Sequence, residues 1–509
     1  MKKKLRVCII DLITNAASKD SWRRVMFPNF AGIMPQVIAI WCEQQGHDVQ
    51  LLTFTGFEDL AEEVPVDTDI VFISAFTQAA LLAYALSNRL RSHGAVTVLG
   101  GPHARCYPED ACKYFDYVLG FTDKDLIKDV LQDCHQNRPV GEYLASLRNP
   151  GSLPGVRERW RFIEDVLKKA LLLRMVPMIG SMGCPYTCSF CIDSTVPYQP
   201  LSTEIIQEDL RFFLTKFKKP LVSWYYPNFG VRFNEIMGAI EEAVPPGSIR
   251  FAAESSLSLL SEPHLKILKK NGFVAMLPGI ESWYDMGNKS GTGRRAGMEK
   301  VQRVSDHVNT IMSYIPYVQT NFVIGLDCDE GPEPFELTKL FVDKCPGAFP
   351  GYSVLTAFGR SAPLYLDYQR TNRVLPFPFH FLNNNQAMNV KPKNYEWPEF
   401  YEHLIDLNAY TFSWSAIYKR FKSSRMNLPR WLNLMRAVSE GWGRLKYHKK
   451  VLHLLKNDRK FRAYFEGETT ELHPFYIDII KKDLGPLWKW LPKEALHHDT
   501  NAYLKSVEA

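Results

Sequence analysis

The sequence predicts an α/β protein in which a doubly wound, Rossmann-like parallel sheet is followed by a second strand–helix region and a mainly helical carboxyl-terminal region. Two observations predict the first two parts: short apolar runs alternate with helix-like stretches through about residue 134, and the alternation resumes near residue 174. Such alternation is typical of parallel sheets. The third observation is that strand-like runs stop near residue 357. The predicted regions are 1–140, a linker at 141–173, 174–357 and 358–509.

The first region contains five apolar runs of strand length, separated by stretches with helical spacing. Gly100, Gly101 and His103 directly follow the fourth run. Doubly wound sheets bind ligands beyond the carboxyl ends of their strands, and paired glycines let the backbone approach a flat ligand closely. These residues are therefore candidate ligand contacts. The runs are 6–11, 48–54, 69–75, 96–99 and 116–119, with helices at 33–45, up to about 92, and at 124–134.

A turn-rich break at 149–155 and a helix at 160–173 are predicted to connect this sheet to a second one. The second region alternates six strand-like runs with five predicted helices, as parallel barrels do, and the site of such barrels lies at the carboxyl ends of the strands. The strands are predicted at 175–180, 222–226, 248–253, 273–277, 317–326 and 351–357, and the helices at 202–216, 233–244, 262–271, 297–308 and 332–345.

The carboxyl-terminal region begins with a segment rich in proline, aromatic and polar residues that ends at Gln386. We predict a loop on the substrate side here rather than core. Helices are predicted at 397–409, 413–421 and 429–456, and the last of them is basic and aromatic. A basic amphipathic helix either lies on an anionic membrane surface or packs one face against the protein body, and the sequence leaves both alternatives open.

Three cysteines lie close together in the second region, where Cys184, Cys188 and Cys191 have the spacing C-x3-C-x2-C. Thiolates are the ligands that iron–sulfur clusters take. A cubane with four irons has one corner per ligand, so three cysteines leave one iron open to a small chelating molecule. Two other interpretations are a structural zinc site, which would need a fourth ligand from elsewhere, and three unrelated thiols.

The composition limits the class of protein. The chain has 509 residues, 46% hydrophobic and 23% charged, and its net charge of +6 does not indicate a nucleic-acid-binding protein. Ten cysteines are too few for a disulfide scaffold. A reducing compartment suits an iron–sulfur cluster, so we expect a cytoplasmic location. No stretch of ~18 uncharged apolar residues exists, and no transmembrane span is expected.

At these cysteines the chain resembles the radical S-adenosylmethionine (SAM) superfamily, in which an aromatic residue precedes the last cysteine, as Phe190 does here. The resemblance implies a [4Fe–4S] cluster on Cys184, Cys188 and Cys191, with SAM on the open iron. It also implies a partial six-stranded barrel, a 5′-deoxyadenosyl radical and an electron donor such as flavodoxin or ferredoxin.

The resemblance further implies SAM contacts at the strand ends of the barrel. A surface carboxylate or an ordinary salt bridge is the alternative for each glutamate. Tyr226 and Pro227 stand where related enzymes have an acidic residue before Asn228. Cys328, just past a strand end, is a candidate radical or acid–base partner, or else an ordinary thiol. The implied SAM-binding residues are Phe190, Asn228, Glu254, Gly279, Glu281 and Gly325.

The first region resembles the cobalamin-binding domain that precedes the barrel in one subclass of this superfamily. The domain order and the loop with Gly100, Gly101 and His103 carry this resemblance, which implies that these three residues contact cobalamin. The Asp-x-His-x-x-Gly pattern that places a histidine on cobalt is absent. Members commonly have an acidic Gly-x-Gly-x turn after the fifth strand, where this chain reads Gly120-Phe121-Thr122-Asp123. Phe121 is expected to fill space that a cofactor tail would need. A domain of the same fold that holds no cobalamin is the alternative.

The glycine-rich, basic segment 288–295 follows the fourth predicted strand of the barrel. It does not match the phosphate-binding P-loop pattern. We expect a flexible loop, and Arg294 and Arg295 suit contacts to an anionic substrate.

Taken with the resemblance, the sequence predicts a cobalamin-dependent radical SAM enzyme that methylates an unactivated carbon. The substrate is expected to be a bulky, partly apolar metabolite such as a lipid or isoprenoid, because the segment after residue 357 is aromatic and rich in proline. The first alternative is radical cyclisation, rearrangement or carbon–carbon coupling without methyl transfer. The second is a non-catalytic iron–sulfur protein with a redox or scaffold role.

Overall fold

A computed structural model describes residues 4–18, 20–134, 141–146, 153–225 and 228–504 of the chain. Residues 149–152 of the predicted linker turn, and Tyr226 and Pro227, lie outside the described residues. Over the described ranges the chain forms two parallel sheets, a helix between them and a helical carboxyl-terminal region.

The first sheet has six parallel strands in the order β2-β1-β3-β4-β5-β6. This confirms the predicted doubly wound region, with one addition: β6 lies beyond the predicted boundary at residue 140. That strand has only three residues, at the sheet edge, and lacks the apolar run that marks the others. The strands are Arg6–Leu12, Asp48–Phe54, Ile70–Ala75, Val96–Gly100, Tyr117–Leu119 and Glu142–Leu144.

Helices cover both faces of this sheet, and its interior strand β1 is therefore buried over six of its seven residues. The helix Ala80–Ser92 packs on one face within a large core that continues into the barrel. The helix Ile33–Gln44 packs on the other face in a separate core. Helices α1 to α7 are Ser21–Met26, Ile33–Gln44, Leu60–Glu63, Ala80–Ser92, Pro102–Cys106, Pro108–Ala111 and Lys124–Asp133.

The linker helix α8, Val156–Lys169, begins four residues before the predicted start and lies between the two sheets. Its first amide, on Val156, donates to Asp209 Oδ1 of the barrel at 2.7 Å. Buried Arg159 donates to Gln36 Oε1 of α2 at 2.9 Å. The linker helix thus contacts both regions through buried polar contacts, which sequence periodicity does not reveal.

The second sheet is a six-stranded parallel half-barrel in the order β14-β13-β12-β11-β10-β7, as the resemblance implied. It is open between β14 and β7. The antiparallel pair β8 and β9 lies beside it. Strands β7 to β14 are Val176–Met178, Ser181–Met182, Gln199–Pro200, Leu221–Trp224, Arg250–Ser256, Phe273–Glu281, Tyr317–Ile324 and Phe349–Val354. Helices α9 to α14 are Thr203–Lys216, Phe233–Ala243, Glu262–Lys270, Gly287–Ser290, Gly297–Tyr314 and Glu333–Lys344.

The carboxyl-terminal region is helical, as predicted, and its helices pack over the β14 edge of the half-barrel. Three helices were not predicted, α15, α20 and α21. The last two are short and separated by Gly467 and Pro474, which interrupt any long periodic pattern. Helices α15 to α21 are Pro363–Arg370, Trp397–Thr411, Trp414–Ser423, Asn427–Arg436, Trp442–Asn457, Arg459–Glu466 and Pro474–Leu484.

The prediction of a substrate-side loop ending at Gln386 is wrong for the aromatic part of that segment. Phe377, Phe379 and Phe381 are fully buried, and Phe377 packs edge-on against Tyr476 of α21 at a ring distance of 5.7 Å. Aromatic side chains bury large areas favourably when partners are available, and helices α20 and α21 provide them. The polar end of the segment does reach a cavity, as described below.

The basic stretch predicted as one helix at 429–456 is divided into α18 and α19 by a π-helical turn, Ala437–Gly441. Arg436 and Arg444, one on each side of the turn, face inward and bind Glu440. Among the described residues no single helix is long and apolar enough to span a membrane; the bent pair formed by 21–30 and 33–44 meets the length and composition criteria.

Candidate active site between the two sheets

A cavity of about 1180 Å³ fills the interior of the half-barrel. Its walls are mostly apolar. Lumen-facing residues of β10 to β13 form one wall, and the carboxyl-terminal region closes the open side with α18, the π-helical turn and α19. Asn383, Asn385 and Gln386 line it as well, so the polar end of the predicted substrate-side loop does face the interior.

Loops of the first sheet also line this cavity. Thr14 and Ser18 follow β1, and Phe76 and Gln78 follow β3. On the barrel side, Glu254 near the end of β11 lines the same space. The carboxyl ends of both parallel sheets therefore face one shared cavity, which is where each type of sheet binds ligands.

Asp193, two residues after Cys191, lines this cavity, so the three-cysteine loop ends beside it. All three thiols are partly exposed. The loop begins at Gly183, whose φ is 65° and where a Cβ would lie 2.5 Å from the carbonyl oxygen of Pro197. Only glycine fits this conformation and this close approach. The amide of Asp193 donates to Cys191 Sγ at 3.4 Å.

Burial, neighbouring charges and backbone amides set the pKa values of the thiols. Burial raises the pKa of Cys184 and that of Cys191, the latter to about 11, and the charge of Cys188 raises both further. The backbone amides of Tyr186 and Asp193 act in the opposite direction. Thiols in this state need a metal to become thiolates, and amides directed at sulfur are among the groups that tune iron–sulfur clusters.

Within the described ranges, no group of three His, Cys, Asp or Glu side chains converges on a single metal ion. A cubane holds its ligand sulfurs farther apart than a mononuclear site does. Partly exposed thiols with an amide donor directed at sulfur fit such a cluster.

The first region holds the cysteine loop in place. Arg105 of α5 donates from Nη2 to Asp193 Oδ1 at 3.2 Å and from Nη1 to the Ile192 carbonyl at 3.5 Å. The same guanidinium lies 5.2 Å from the Phe121 ring centroid. Phe121, which the sequence marked as an unusual residue after β5, therefore supports a contact between the two regions.

An ion pair stands beside the cysteine loop. Glu281, at the end of β12, has a φ of 67°, a conformation rare for residues other than glycine, and accepts a hydrogen bond from Lys289 Nζ. That nitrogen lies 5.3 Å from the Phe190 ring centroid. Burial opposes the charge of Lys289, but Glu281 and the thiols Cys188 and Cys191 outweigh this and raise its pKa.

Sequence reasoning placed Phe190 and Glu281 in the site but missed Lys289. The segment 288–295 was interpreted as a flexible loop; residues 287–290 form the short helix α12, which brings Lys289 back toward the cysteines. A lysine eight residues after a strand-end glutamate gives no periodic signal. Only the tertiary fold joins the two.

Glu254 projects into the cavity, as the resemblance implied. Desolvation by the surrounding protein raises the pKa of the Glu254 carboxyl group, and the charge of Lys289 acts in the opposite direction. Gly279 lies directly beside the ion pair, because a Cβ there would be 2.1 Å from Glu281 Oε1 and 3.0 Å from Lys289 Nζ. Both residues therefore belong to the same polar group beside the cysteine loop.

The other implied SAM contacts occupy different surroundings. The Asn228 side chain donates to Ser256 Oγ at 2.8 Å and accepts from the Ser256 amide at 3.2 Å, so it ties two strand ends together. Gly325 is covered by Met388 and Phe400, each 3.0 Å from the position of a Cβ. Its implied contact with SAM is wrong, because Met388 and Phe400 of the carboxyl-terminal region fill the space beside it.

Cys328 does not line the cavity. Its thiol is exposed and lies 3.5 Å from Ser282 Oγ. Its candidate role as a radical or acid–base partner stays a prediction that this position, outside the cavity lining, does not support.

The candidate cobalamin contact at His103 is also wrong. His103 is fully buried, with Nε2 2.7 Å from the Tyr84 hydroxyl and its ring 4.7 Å from that of Phe379. Burial lowers its pKa to about 3. Gly101 has a φ of 89°, and a Cβ there would lie 2.9 Å from the Ala75 carbonyl, so this glycine lets the turn after β4 pass close to the end of β3. A Cβ at Gly100 would meet no atom within 4 Å, and Gly100 remains a candidate cobalamin contact.

No protein-family model matches the chain. Bacteriochlorophyllide d C-12(1)-methyltransferase from Chlorobaculum tepidum is 23% identical over 387 residues, which are 74% of this chain and 83% of that protein. The C-8(2)-methyltransferase of the same organism is 22% identical over 400 residues, 73% of this chain and 83% of that protein.

Two solved structures share the fold. The radical SAM methyltransferase TsrM from Kitasatospora setae, with cobalamin and a [4Fe–4S] cluster bound, has a TM-score of 0.52 and 12% identity, covering 73% of this chain and 76% of its own. The cobalamin-dependent radical SAM enzyme OxsB, with aqua-cobalamin bound, has a TM-score of 0.55 and 14% identity, covering 99% of this chain and 80% of its own. These similarities confirm the predicted fold class.

Proposed function

We propose that this protein is a cobalamin-dependent radical SAM methyltransferase that methylates an unactivated carbon of a bulky, partly apolar small molecule. The observation that carries the proposal is the shared cavity, where the carboxyl ends of both parallel sheets and the three-cysteine loop meet. The fold shared with TsrM and OxsB and the methyltransferase activity of the two bacteriochlorophyllide relatives support it.

When bound, a [4Fe–4S] cluster with SAM would supply a 5′-deoxyadenosyl radical, and cobalamin would supply a methyl group. Cys184, Cys188 and Cys191 would hold the cluster. Glu254 and Glu281 offer carboxylates to amino and hydroxyl groups of SAM, and Lys289 offers a cation to its carboxylate. The loops after β1 and β3 would face cobalamin, since they line the cavity opposite the barrel.

A cofactor census of the anaerobically purified full chain tests this proposal. We expect four irons, four sulfides and one cobalt per chain after reconstitution, release of 5′-deoxyadenosine from SAM under reduction, and a product heavier by one CH2. A cluster-loaded chain that has no affinity for any cobalamin would contradict the cobalamin part. A chain that leaves SAM intact would contradict the radical part and favour a non-catalytic iron–sulfur protein.

A second candidate function is radical cyclisation, rearrangement or coupling without methyl transfer. The observation that favours it is the burial of His103 beneath Phe379, which leaves one of the three implied cobalamin contacts inaccessible. Mass spectrometry separates the two functions, because a product that has lost two hydrogens, or that has the mass of the substrate, would replace the product with an added CH2.

The ion pair beside the cysteine loop gives a testable prediction for SAM binding. In Gly279→Ala the new methyl group would displace Glu281 and Lys289. We expect about a tenfold weaker affinity for SAM, because roughly one charge-assisted hydrogen bond to SAM would be lost. Equilibrium dialysis of the cluster-loaded chain measures it. Gly238→Ala in α10, where a Cβ meets nothing within 4 Å, is the matched control; equal affinities of the two variants would contradict the role of the ion pair.

An electron donor such as flavodoxin or ferredoxin is part of the proposal. Tyr186, two residues from Cys184, is 46% exposed, which supports access of a redox partner to the cysteine loop. We also propose a cytoplasmic location, supported by the described cysteines, none of which forms a disulfide.

We further propose peripheral contact with an anionic membrane through α17 and α18. Trp414 and Trp431 are 66% and 60% exposed, and Met426 and Leu428, which line the cavity, are exposed beside them. Lys422 is exposed on the same hairpin. Exposed aromatic and basic residues in one patch are typical of helices that bind a membrane surface.

Replacing both tryptophans tests the membrane contact. For Trp414→Ala/Trp431→Ala we expect about a tenfold loss of binding to vesicles containing phosphatidylglycerol, measured by co-sedimentation, because the patch loses its two largest apolar side chains. Met298→Ala, at an exposed apolar residue of α13, is the control. No binding by the unmodified chain, or equal binding by both variants, would contradict the contact.

A further inference from the structure

A group of charged side chains lines the cavity at the β13–β14 side, away from the cysteine loop. Arg436 Nε donates to Glu440 Oε2 at 2.8 Å, and Arg444 Nη2 donates to Glu440 Oε1 at 2.7 Å. One carboxylate thus lies between two guanidiniums. All three residues line the cavity, and none of them has a role in the function proposed above.

Surrounding groups fix both guanidiniums. Arg436 also donates to Gln319 Oε1 of β13, and its Cζ lies 4.3 Å from the Phe349 ring centroid and 5.2 Å from that of Trp22. Arg444 Nη1 donates to the Tyr352 carbonyl at 2.8 Å. Rings and neutral acceptors orient these cations but do not neutralise them.

A third guanidinium, that of Arg23 on α1, faces the same place. It lines the cavity and is near enough for its charge to lower the pKa of Glu440. Among the described residues no carboxylate forms an ion pair with it. Asp20, the other carboxylate on this side, caps α1 by accepting from the Arg23 amide at 3.0 Å. Within this group three cations therefore face two carboxylates, which leaves one positive charge in excess. Arg250, a further cation that lines the cavity, stands at the start of β11 and donates to the Lys219 carbonyl.

We propose that this arginine group, formed by Arg23, Arg436 and Arg444, binds the carboxylate of the substrate, which is a bulky apolar monocarboxylate. The inference rests on the proposed function, because it names the substrate class of that same site. An excess cation in a largely apolar cavity is poorly solvated and favours an anion. Guanidinium groups match a planar carboxylate, and a single negative charge balances the excess, whereas a phosphate dianion would exceed it.

The position of the group fits this role. Gln319, which binds Arg436, lies on β13, and Glu254 lies on β11, two strand spacings away. Neighbouring strands are about 4.8 Å apart, so the two sides of the lumen are separated by roughly 10 Å. A carboxylate held by the arginine group would place the apolar body of the substrate across the lumen, with its far end beside Glu254 and the cysteine loop.

Binding of pyrenebutyrate, a fluorescent apolar monocarboxylate, tests the proposal with the full, cluster-loaded chain. Fluorescence anisotropy measures its affinity and that of its methyl ester, which has the same body without the charge. We expect the acid to bind at least tenfold more tightly than the ester, the contribution of one charge-assisted contact. Equal affinities, or no binding of the acid, would overturn the proposal.

Two neighbouring arginines of α1 provide a matched pair of variants. Arg23→Gln removes the guanidinium that lacks a carboxylate partner, and we expect the preference for the acid to fall about tenfold while ester binding stays the same. Arg24→Gln changes an exposed residue that stacks on Phe57, 4.5 Å from its ring centroid, and does not line the cavity; it should keep the full preference. The same preference in both variants would overturn the proposal.

Release of 5′-deoxyadenosine is measured in parallel, so that the two proposals fail separately. A chain that cleaves SAM but does not distinguish acid from ester refutes the carboxylate site alone. A chain that distinguishes them but leaves SAM intact refutes the radical function and supports the binding site. A thermal unfolding curve of Arg23→Gln that matches the unmodified chain assigns any loss of preference to the guanidinium.

Discussion

Replacing Cys188 by serine is expected to abolish reductive cleavage of SAM. Cys184, Cys188 and Cys191 are the three thiolates assigned to the cluster, and a cubane left with only two thiolate ligands would be lost. Substituting a group that merely supports a metal ligand typically lowers metal affinity or activity 10–100-fold. We therefore expect more than about 100-fold less 5′-deoxyadenosine, together with loss of iron from the purified chain.

Cys328→Ser is the matched control for this experiment. That thiol is exposed and lies outside the cavity, so we expect full iron content and unchanged SAM cleavage. Full iron content in Cys188→Ser would contradict the assignment of the cluster ligands. Loss of activity with intact iron in Cys328→Ser would instead support the acid–base role that its position outside the cavity lining does not.

Replacing Glu440 by glutamine is expected to cause a loss of stability of about 2–3 kcal/mol of unfolding free energy. The substitution leaves Arg436 and Arg444 with no carboxylate between them. The Glu440 side chain is 29% exposed and both arginine side chains are 14% exposed, so the loss lies between that of an exposed ion pair and that of a fully buried one. Urea unfolding followed by circular dichroism measures it. Glu402→Gln, which removes an exposed ion pair with Lys456, is the control and should change stability by less than about 1 kcal/mol. Equal losses of unfolding free energy in the two variants would contradict the role of the Glu440 ion pairs.

The same carboxyl group gives a pH dependence with a defined sign. Desolvation acts to raise the pKa of Glu440, but the charges of Arg436 and Arg444 outweigh it and lower the pKa from 4.5 to about 2. A lowered pKa contributes stability above the unfolded value, and this contribution is lost as the pH falls through the folded value. Between pH 4.5 and about 2 the unmodified chain should therefore lose more stability than Glu440→Gln. Parallel pH profiles of the two would contradict this.

Much of the fold could be predicted because the relevant signals are local. The strand Asp48–Phe54 was predicted at its observed bounds, and the helix cap at Ser202, whose Oγ accepts from the Ile205 amide, follows from residue types within a few positions. The prediction for the segment around Phe379 was wrong for the opposite reason. Its proline and polar residues resemble a surface loop, and burial depends on helices α20 and α21, which lie about 80 to 100 residues further along the chain.

By itself the sequence determined the alternation of strands and helices, the two parallel sheets and the three clustered thiols, because each is encoded by spacing within a short stretch of chain. Only the tertiary structure decided which strand-end residues face the cavity. It covered Gly325, buried His103 and left Cys328 outside the cavity lining, and it brought Lys289 to Glu281 and Arg23 to Glu440. These outcomes depend on contacts between residues distant in sequence, and the packing of whole elements, rather than any local pattern, sets the distances and charges that they share.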